Sequence, residues 1–263
     1  GRIGDIDGIV GRARRIWPDW AAQPLSTRME LVRRFANEVR KDQERLSTTL
    51  ARETGKPLWE ATAEIESVIA RVEIAIRAYA ERSAQRKLDS AIQGVTAVRH
   101  KPHGVLGVLG PSNLPAAAPI GHIIPALIAG NAVIFKPSEK TPAIGELLVP
   151  CFHQAGIPAT VVQFLAGGPA QGQALAVHEG LDIQTRELSM IDMPFDDGCF
   201  DLVWAEGSIF IVGLAHGLEE FRKFVAPGGY LAFTEMCLFE SDPPQELRRW
   251  FDEVYPDVRG IEE

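Results

Sequence analysis

Cysteine is scarce in this 263-residue chain, which holds only Cys151, Cys199 and Cys237. No two of them have the spacing of a metal-ligand pair, and an odd number builds no disulfide framework. A reducing, cytoplasmic setting is the expectation that follows. Long apolar runs are missing too. The most apolar window, residues 116–135, is broken by Pro119, His122, Pro125, Gly130 and Asn131. No stretch approaches the roughly 20 residues that span a bilayer. Charges interrupt every apolar run near the start, so neither a leader peptide nor a membrane partner is expected. Basic charge is in deficit: 27 Lys and Arg stand against 35 Asp and Glu, a net of −8. A general nucleic-acid binder needs a basic face to neutralise phosphates, so that class is excluded. Internal repeats and low-complexity segments are not found.

What remains is an ordinary globular composition, 46% hydrophobic and 24% charged. The length suits one large domain or two small ones. The charge is uneven. Residues 1–182 carry 21 basic and 18 acidic side chains, whereas residues 183–263 carry 6 and 17. Such a shift fits either an acidic C-terminal surface or two segments of different origin.

Periodicity supplies the elements. After a Gly-rich start and the Trp17–Trp20 stretch, Ser26 is placed to cap a helix running to about Glu53. Leu31, Phe35 and Val39 space its apolar face, and Gly55 is its stop. Ile65, Val68, Ile69, Val72, Ile76 and Tyr79 recur at three and four residues and predict a helix over 58–82 with a buried stripe. Residues 94–101 alternate like a strand. Apolar runs and helices then take turns: strands at 105–109, 132–136 and 161–165, and helices over 119–129, over 141–154 with Thr141 as cap, and near 172–177. That alternation predicts a parallel, doubly wound sheet. Beyond Asp182, residues 187–191 read as a strand or a loop, and 194–198 as a turn. Strands follow at 200–205 and 230–234. A helix over 218–225 is stopped by Pro227-Gly228-Gly229, and a last one over 245–254 is introduced by Pro243 and Pro244.

Two segments have the character of a nucleotide site. Gly130-Asn-Ala-Val-Ile-Phe-Lys-Pro-Ser-Glu139 puts Lys136, Ser138 and Glu139 just beyond a buried strand. There a Lys donates and a carboxylate accepts from sugar hydroxyls. Gly167-Gly-Pro-Ala-Gln-Gly172 is a glycine loop opening a helix, and helix N-termini attract anions. Taken singly, each has a plainer reading: a solvated ion pair at a turn, and loop punctuation.

Together these motifs resemble the N-terminal part of NAD(P)-dependent aldehyde dehydrogenases over residues 17–182. Gly110-Pro-Ser-Asn-Leu-Pro115 is similar to that family's oxyanion loop, and Arg52-Glu-Thr-Gly-Lys-Pro57 to the end of an early helix. His100-Lys-Pro-His-Gly104 and Gly121-His-Ile-Ile-Pro-Ala126 resemble its succinylglutamate-semialdehyde branch, from which Ser112 departs, since that branch carries an aromatic there. The resemblance implies that Lys136 and Glu139 bind the adenosine ribose of NAD or NADP, with Ser138 among the cofactor-binding residues. It places Gly168 and Gly172 near the adenine and phosphates. It makes Asn113 an oxyanion donor, a fixed dipole where charge develops. The family's Glu-Leu-Gly-Gly and Gly-Gln-x-Cys segments, which carry the general base and the nucleophile, do not occur in this sequence. None of the three cysteines stands in a nucleophile's context, and Cys151 reads as a buried structural thiol.

Residues 187–263 resemble the later part of class I S-adenosylmethionine-dependent methyltransferases. The carriers are Met193-Pro-Phe-Asp-Asp-Gly-Cys-Phe-Asp-Leu-Val-Trp-Ala-Glu-Gly207 and Pro227-Gly-Gly-Tyr-Leu-Ala-Phe-Thr-Glu235. By that resemblance Ser189 and Met190 sit where such enzymes touch the adenine. The family's Gly-rich first loop and the acidic end of its second strand are absent, so S-adenosylmethionine binding is not expected.

The expected architecture is α/β: an N-terminal helical segment with an oligomerisation-type strand (1–104), an aldehyde-dehydrogenase-like βαβαβ half (105–182), and a methyltransferase-like half (183–263). The last is expected to complete one hybrid Rossmann-like sheet by pairing residues 200–205 beside 105–109. The 94–101 strand is expected to make a homo-oligomer. Three functions stand open: a catalytically inactive nucleotide-binding protein of aldehyde dehydrogenase type, a natural or engineered chimera of two Rossmann-like halves with no ligand, and a methyltransferase remnant.

Overall fold

The N-terminal third is helical because its apolar residues return every three or four positions. The computed structural model describes residues 6–83, 86–88, 96–178, 189–205, 209–233, 237–238, 245, 248–249 and 259–260. Helix α1 spans Ile6–Ala22 and buries Ile6, Ile9, Val10, Ala13 and Trp20, a helical spacing maintained through Pro18. Then come α2 (Leu25–Lys41), α3 (Gln43–Thr54) and α4 (Leu58–Arg82). The long helix expected from Ser26 to Glu53 is two helices, because the chain leaves helical geometry at Asp42 (φ −103°, ψ 13°). Ser26 caps nothing: Pro24 holds the N-cap position of α2. Gly55 ends α3 in the left-handed region at φ 76°, and α4 has the predicted bounds.

Strands β3 (Val105–Leu109), β4 (Ala132–Lys136) and β5 (Val162–Phe164) form a parallel sheet in that spatial order. Val105 lies opposite Ala132, and Val133 opposite Val162. All five residues of β4 are buried. Ala132 and Ile134 pack with Ile6, Ile9, Val10 and Ala13 of α1. Val133 and Phe135 face the main core. That core is built with α5 (Ala117–Ile128) and α6 (Pro142–Gln154), and with α2, α3 and α4 behind them. A central parallel strand covered on both faces reads as a continuous apolar run, which is why β4 was legible.

Buried polar groups pin the layers. The Arg28 guanidinium donates from Nε to the Ile128 carbonyl at 3.0 Å and from Nη1 to Ala21 at 3.0 Å and to Gln23, tying α2 to the end of α5. Asn131 donates to Ala126 O (3.1 Å) and accepts from Gly104 N (3.0 Å), joining the entries of β3 and β4. Gln163 accepts from Arg12 and donates to Ile9 O (2.9 Å), which seats α1 on β5. Helix α7 (Pro169–His178) crosses to the α1 face, where Leu175 fits over Gly107: a Cβ there would lie 2.9 Å from it.

Strand β2 (Thr96–Val98) pairs antiparallel with β1 (Arg86–Leu88) within the chain. The expected strand therefore already has one intramolecular partner.

The chain divides into two compact units, 1–185 and 186–263. In the second, β6 (Phe200–Ala205) and β7 (Val225–Phe233) pair in parallel, connected through a short 3-10 helix (Ile209–Val212) and α8 (Leu214–Lys223). Gly229 lies where a Cβ would be 2.7 Å from the Asp201 carbonyl, so only glycine admits this approach, beside the register shift between Phe200 and Leu202. Ala205, Ile209 and Phe221 are its buried core, with Val203, Leu218 and Leu231 packed around them.

Here the sequence reading is corrected on two points. Among the described residues, β6 and β3 belong to separate hydrogen-bonded sheets, not to one. β6 finds its partner in β7, because Val203, Ala205 and Leu231 share one face under α8. The helix expected over 218–225 ends at Lys223, and the strand expected from 230 already begins at Val225, running through the Pro227-Gly228-Gly229 stop; the Phe200 amide donates to the Phe224 carbonyl. Residues 189–192 form a tight turn closed by a Ser189–Asp192 bridge. Strands β8 (Cys237–Leu238) and β9 (Arg259–Gly260) pair in parallel. Residue 182, where the two resembling segments are expected to meet, and most of the helix expected over 245–254 lie outside the described residues.

Phe35 and Phe152 stack at 3.8 Å between α2 and α6, both fully buried. Phe152→Ala is expected to lower the unfolding free energy of the first unit by about 3–5 kcal/mol, measured by urea denaturation. A loss under about 1 kcal/mol would mean this contact is not central to the core.

Candidate functional site

The carboxyl ends of β3, β4 and β5 converge, and Lys136 stands at their centre as the last residue of the buried strand. Its side chain is enclosed at 6% exposure. Nζ donates to the Pro137 carbonyl at 2.8 Å and the Gly167 carbonyl at 2.9 Å, and lies 3.9 Å from the Glu139 carboxylate. Burial pushes the Lys136 ammonium below the ordinary lysine range, and Glu139 opposes that shift. The side chain thus bridges the loop after β4 to the loop after β5. The Gly110 amide takes the Lys136 carbonyl at 2.8 Å, bringing in the loop after β3.

The surroundings are shaped for close approach. A Cβ on Gly172 would rest 3.5 Å from Lys136 Cε, so the first turn of α7 lies against the lysine stem. A Cβ on Gly168 would meet nothing within 4 Å, which marks open space beside the loop. The loop is braced by Gln171, whose side-chain oxygen accepts from the Gly168 amide at 2.9 Å. Ser138 accepts from the Lys140 amide at 3.2 Å and closes the turn that carries Glu139. Glu139 is about half exposed. The structure therefore brings Lys136, Ser138, Glu139, Gly168 and Gly172 to one sheet edge.

The sequence reading missed the two carbonyls that hold the lysine and the brace from Gln171. No residue type announces a carbonyl partner, and nothing in the local pattern announced the Gln171 brace. Asn113 sits in the exposed loop before α5, its side-chain oxygen accepting from the Leu114 amide at 2.9 Å. That leaves the NH2 end as its donor. Ser189 and Met190 fall in the second unit. The Ser189 hydroxyl accepts from Ile191 N at 3.3 Å, and Met190 packs on the Ala205–Phe221 core.

The thiols differ. Cys151 is 2% exposed within α6. Burial, with a smaller push from Asp42 and Glu38, raises its thiol to about 11. Cys199 is exposed. Among the described residues no group of three His, Cys, Asp or Glu side chains is placed to hold a metal ion, and no helix is long and apolar enough to cross a membrane.

A parallel sheet under two helical layers, with glycine loops and a lysine at its carboxyl edge, defines a Rossmann-like α/β protein. The sequence profile of the aldehyde dehydrogenase family matches residues 2–185, and the chain belongs to that family. An N-succinylglutamate 5-semialdehyde dehydrogenase from Novosphingobium aromaticivorans is 70% identical over 182 residues, which is 69% of this chain and 39% of that protein. One of the same name from Sphingopyxis alaskensis is 55% identical over 182 residues, 38% of its length. The chain thus spans under two fifths of these curated relatives. Solved structures agree on the fold. A glyceraldehyde-3-phosphate dehydrogenase, GapN, from Methanocaldococcus jannaschii, complexed with NADP, superposes with a TM-score of 0.65 at 20% identity, over 90% of this chain and 47% of its own. An NAD-dependent benzaldehyde dehydrogenase from Corynebacterium glutamicum gives 0.62 at 25% identity, covering 88% and 46%. A methyltransferase domain profile also matches residues 148–233, overlapping the first across 148–185.

Treating the native protein with iodoacetamide at pH 8 and mapping peptides should show Cys199 modified and Cys151 protected. Equal labelling of the two would contradict the burial of Cys151. Because the fold raises the Cys151 pKa, it stabilises the neutral thiol. That contribution is complete below the ordinary value of 9.0 and is lost as pH rises through about 11.

Proposed function

We propose that the chain is a nucleotide-binding protein of aldehyde dehydrogenase type that holds NAD weakly and does not oxidise aldehydes. The observation that carries this reading is the convergence of Lys136, Glu139 and the Gly168–Gly172 turn at the carboxyl edge of the sheet. The half-exposed Glu139 carboxylate accepts from ribose hydroxyls. It also disfavours a 2′-phosphate by charge, so NAD is preferred over NADP. Two of the three Lys136 donors are spent on carbonyls, which leaves the third for the sugar. The space beside Gly168 takes the flat base, and the first turn of α7 faces the phosphates.

Bound NAD supplies a hydride acceptor, and the chain's own residues bring no means of delivering the hydride. An aldehyde must first be captured by a thiolate. Cys151 is enclosed with its thiol held neutral. The sequence contains neither the family's Gly-Gln-x-Cys nor its Glu-Leu-Gly-Gly segment. Asn113 would remain a donor with no oxyanion to stabilise. Succinylglutamate semialdehyde, named for the relatives, is accordingly not a substrate under this reading.

A second reading, a hybrid with no ligand, draws on the methyltransferase match over 148–233 and on β6 and β7 forming a sheet of their own. It predicts a melt indifferent to NAD and S-adenosylmethionine alike. Assembly belongs to the main proposal: the outer edge of the β1–β2 ribbon would pair with a second chain, giving a dimer or larger species by light scattering. A monomer at about 100 µM would remove that part.

Calorimetric titration of the full chain with NAD tests the reading. The expected result is saturable binding with a dissociation constant between about 10 µM and about 1 mM. Lys136→Met should weaken it about ten- to a hundredfold, the worth of a charge-assisted hydrogen bond. No saturable heat up to millimolar NAD would overturn the proposal in favour of the ligand-free hybrid.

A further inference from the structure

We propose that Glu53 is a positioning residue for the nucleotide turn. It acts across the layers as the N-terminal cap that α6 does not have of its own, and this rests on the nucleotide reading above. The turn 138–141 leads directly into α6. At that junction Thr141 holds the N-cap position but its side chain makes no cap. Its hydroxyl is buried without a hydrogen-bond partner. Pro142 has no N–H to satisfy. The next two amides are taken by Glu53 from the last turn of α3: Oε1 accepts from Ala143 N at 2.8 Å and Oε2 from Ile144 N at 2.9 Å. A carboxylate forked over two helical amides also lies at the positive end of the helix dipole.

Glu53 thereby fixes where α6 begins, and with it the turn in which Ser138 O accepts from Thr141 N and Ser138 Oγ from Lys140 N. Glu139, the ribose acceptor, rides on that turn. The same device recurs one loop away and supplies a control. Helix α5 has no side-chain cap of its own. Glu64 of α4 accepts from Ala116 N at 3.0 Å and Ala117 N at 3.1 Å, and is paired with Lys56 Nζ at 2.9 Å. Glu64 serves the loop that carries Asn113, and Glu53 serves the turn that carries Glu139. Both carboxylates come from the helical layer, not from the sheet unit they organise.

The test compares Glu53→Ala, Glu53→Gln and Glu64→Gln in the full chain, by amide hydrogen exchange and by ADP-ribose titration. In Glu53→Ala, exchange at residues 138–144 should rise about tenfold or more while 114–118 stays protected, and ADP-ribose affinity should fall about tenfold. Glu53→Gln retains one acceptor and should recover part of both. Glu64→Gln should loosen 114–118 and leave ADP-ribose affinity within about twofold. Unchanged exchange at 138–144, or equal acceleration across the first unit, would overturn the positioning role, since a merely structural residue loosens everything it supports. So would undiminished ADP-ribose affinity in Glu53→Ala. If the unsubstituted protein binds no ADP-ribose while the exchange pattern holds, the nucleotide reading falls and the cap stands.

Discussion

Everything in the first unit is arranged around a buried strand. β4 is covered by α1 on one face and by the α5–α6 layer on the other, so each of its residues must be apolar or find a partner indoors. Four are apolar. The fifth, Lys136, meets the requirement by reaching two backbone carbonyls from the end of the strand. That constraint draws the glycine loop after β5 up to the end of β4, where the Gly167 carbonyl meets the lysine.

This constraint also determined what could be read from the residues alone. β4 and α4 emerged with correct bounds because their patterns are unbroken: five consecutive apolar or anchored positions in one, a three-and-four spacing in the other. β3, α5 and β6 were legible for the same reason. Helix α1 was not, because Pro18 and the early glycines signal interruption. Its Ile6, Ile9, Val10, Ala13 spacing nevertheless continues through them. The break at Asp42 was hidden because α2 and α3 are both amphipathic and only one residue separates them. The start of β7 was misread because Pro227, Gly228 and Gly229 usually end elements. Here Gly229 instead admits a carbonyl that no other residue would tolerate. For the candidate site, residue types pointed to Lys136, Ser138, Glu139, Gly168 and Gly172 as candidates, but not to what holds them. The Gly167 carbonyl that holds Lys136 and the Glu53 and Glu64 caps bridge residues dozens of positions apart, and local pattern carries no trace of such contacts.

Family membership and chemistry separate at this point. The aldehyde dehydrogenase profile ends at residue 185, and the chain continues into a parallel β6–α8–β7 unit matched by a methyltransferase profile. The first unit retains the layers that build a nucleotide edge. The family's Gly-Gln-x-Cys and Glu-Leu-Gly-Gly segments do not occur in this sequence, and burial raises the Cys151 thiol to about 11. The proposed reading, binding without turnover, draws on both facts. The second unit contributes a small core of its own around Phe221, with Phe195 set edge-on against Phe200 and Phe224.

The most direct measurement is a map of backbone amide shifts on an isotopically labelled chain during NAD addition. The account predicts saturable changes confined to residues 110–113, 136–141 and 166–174, with β6 and β7 silent. Changes centred on β6 and β7, or none anywhere at millimolar NAD, would contradict it.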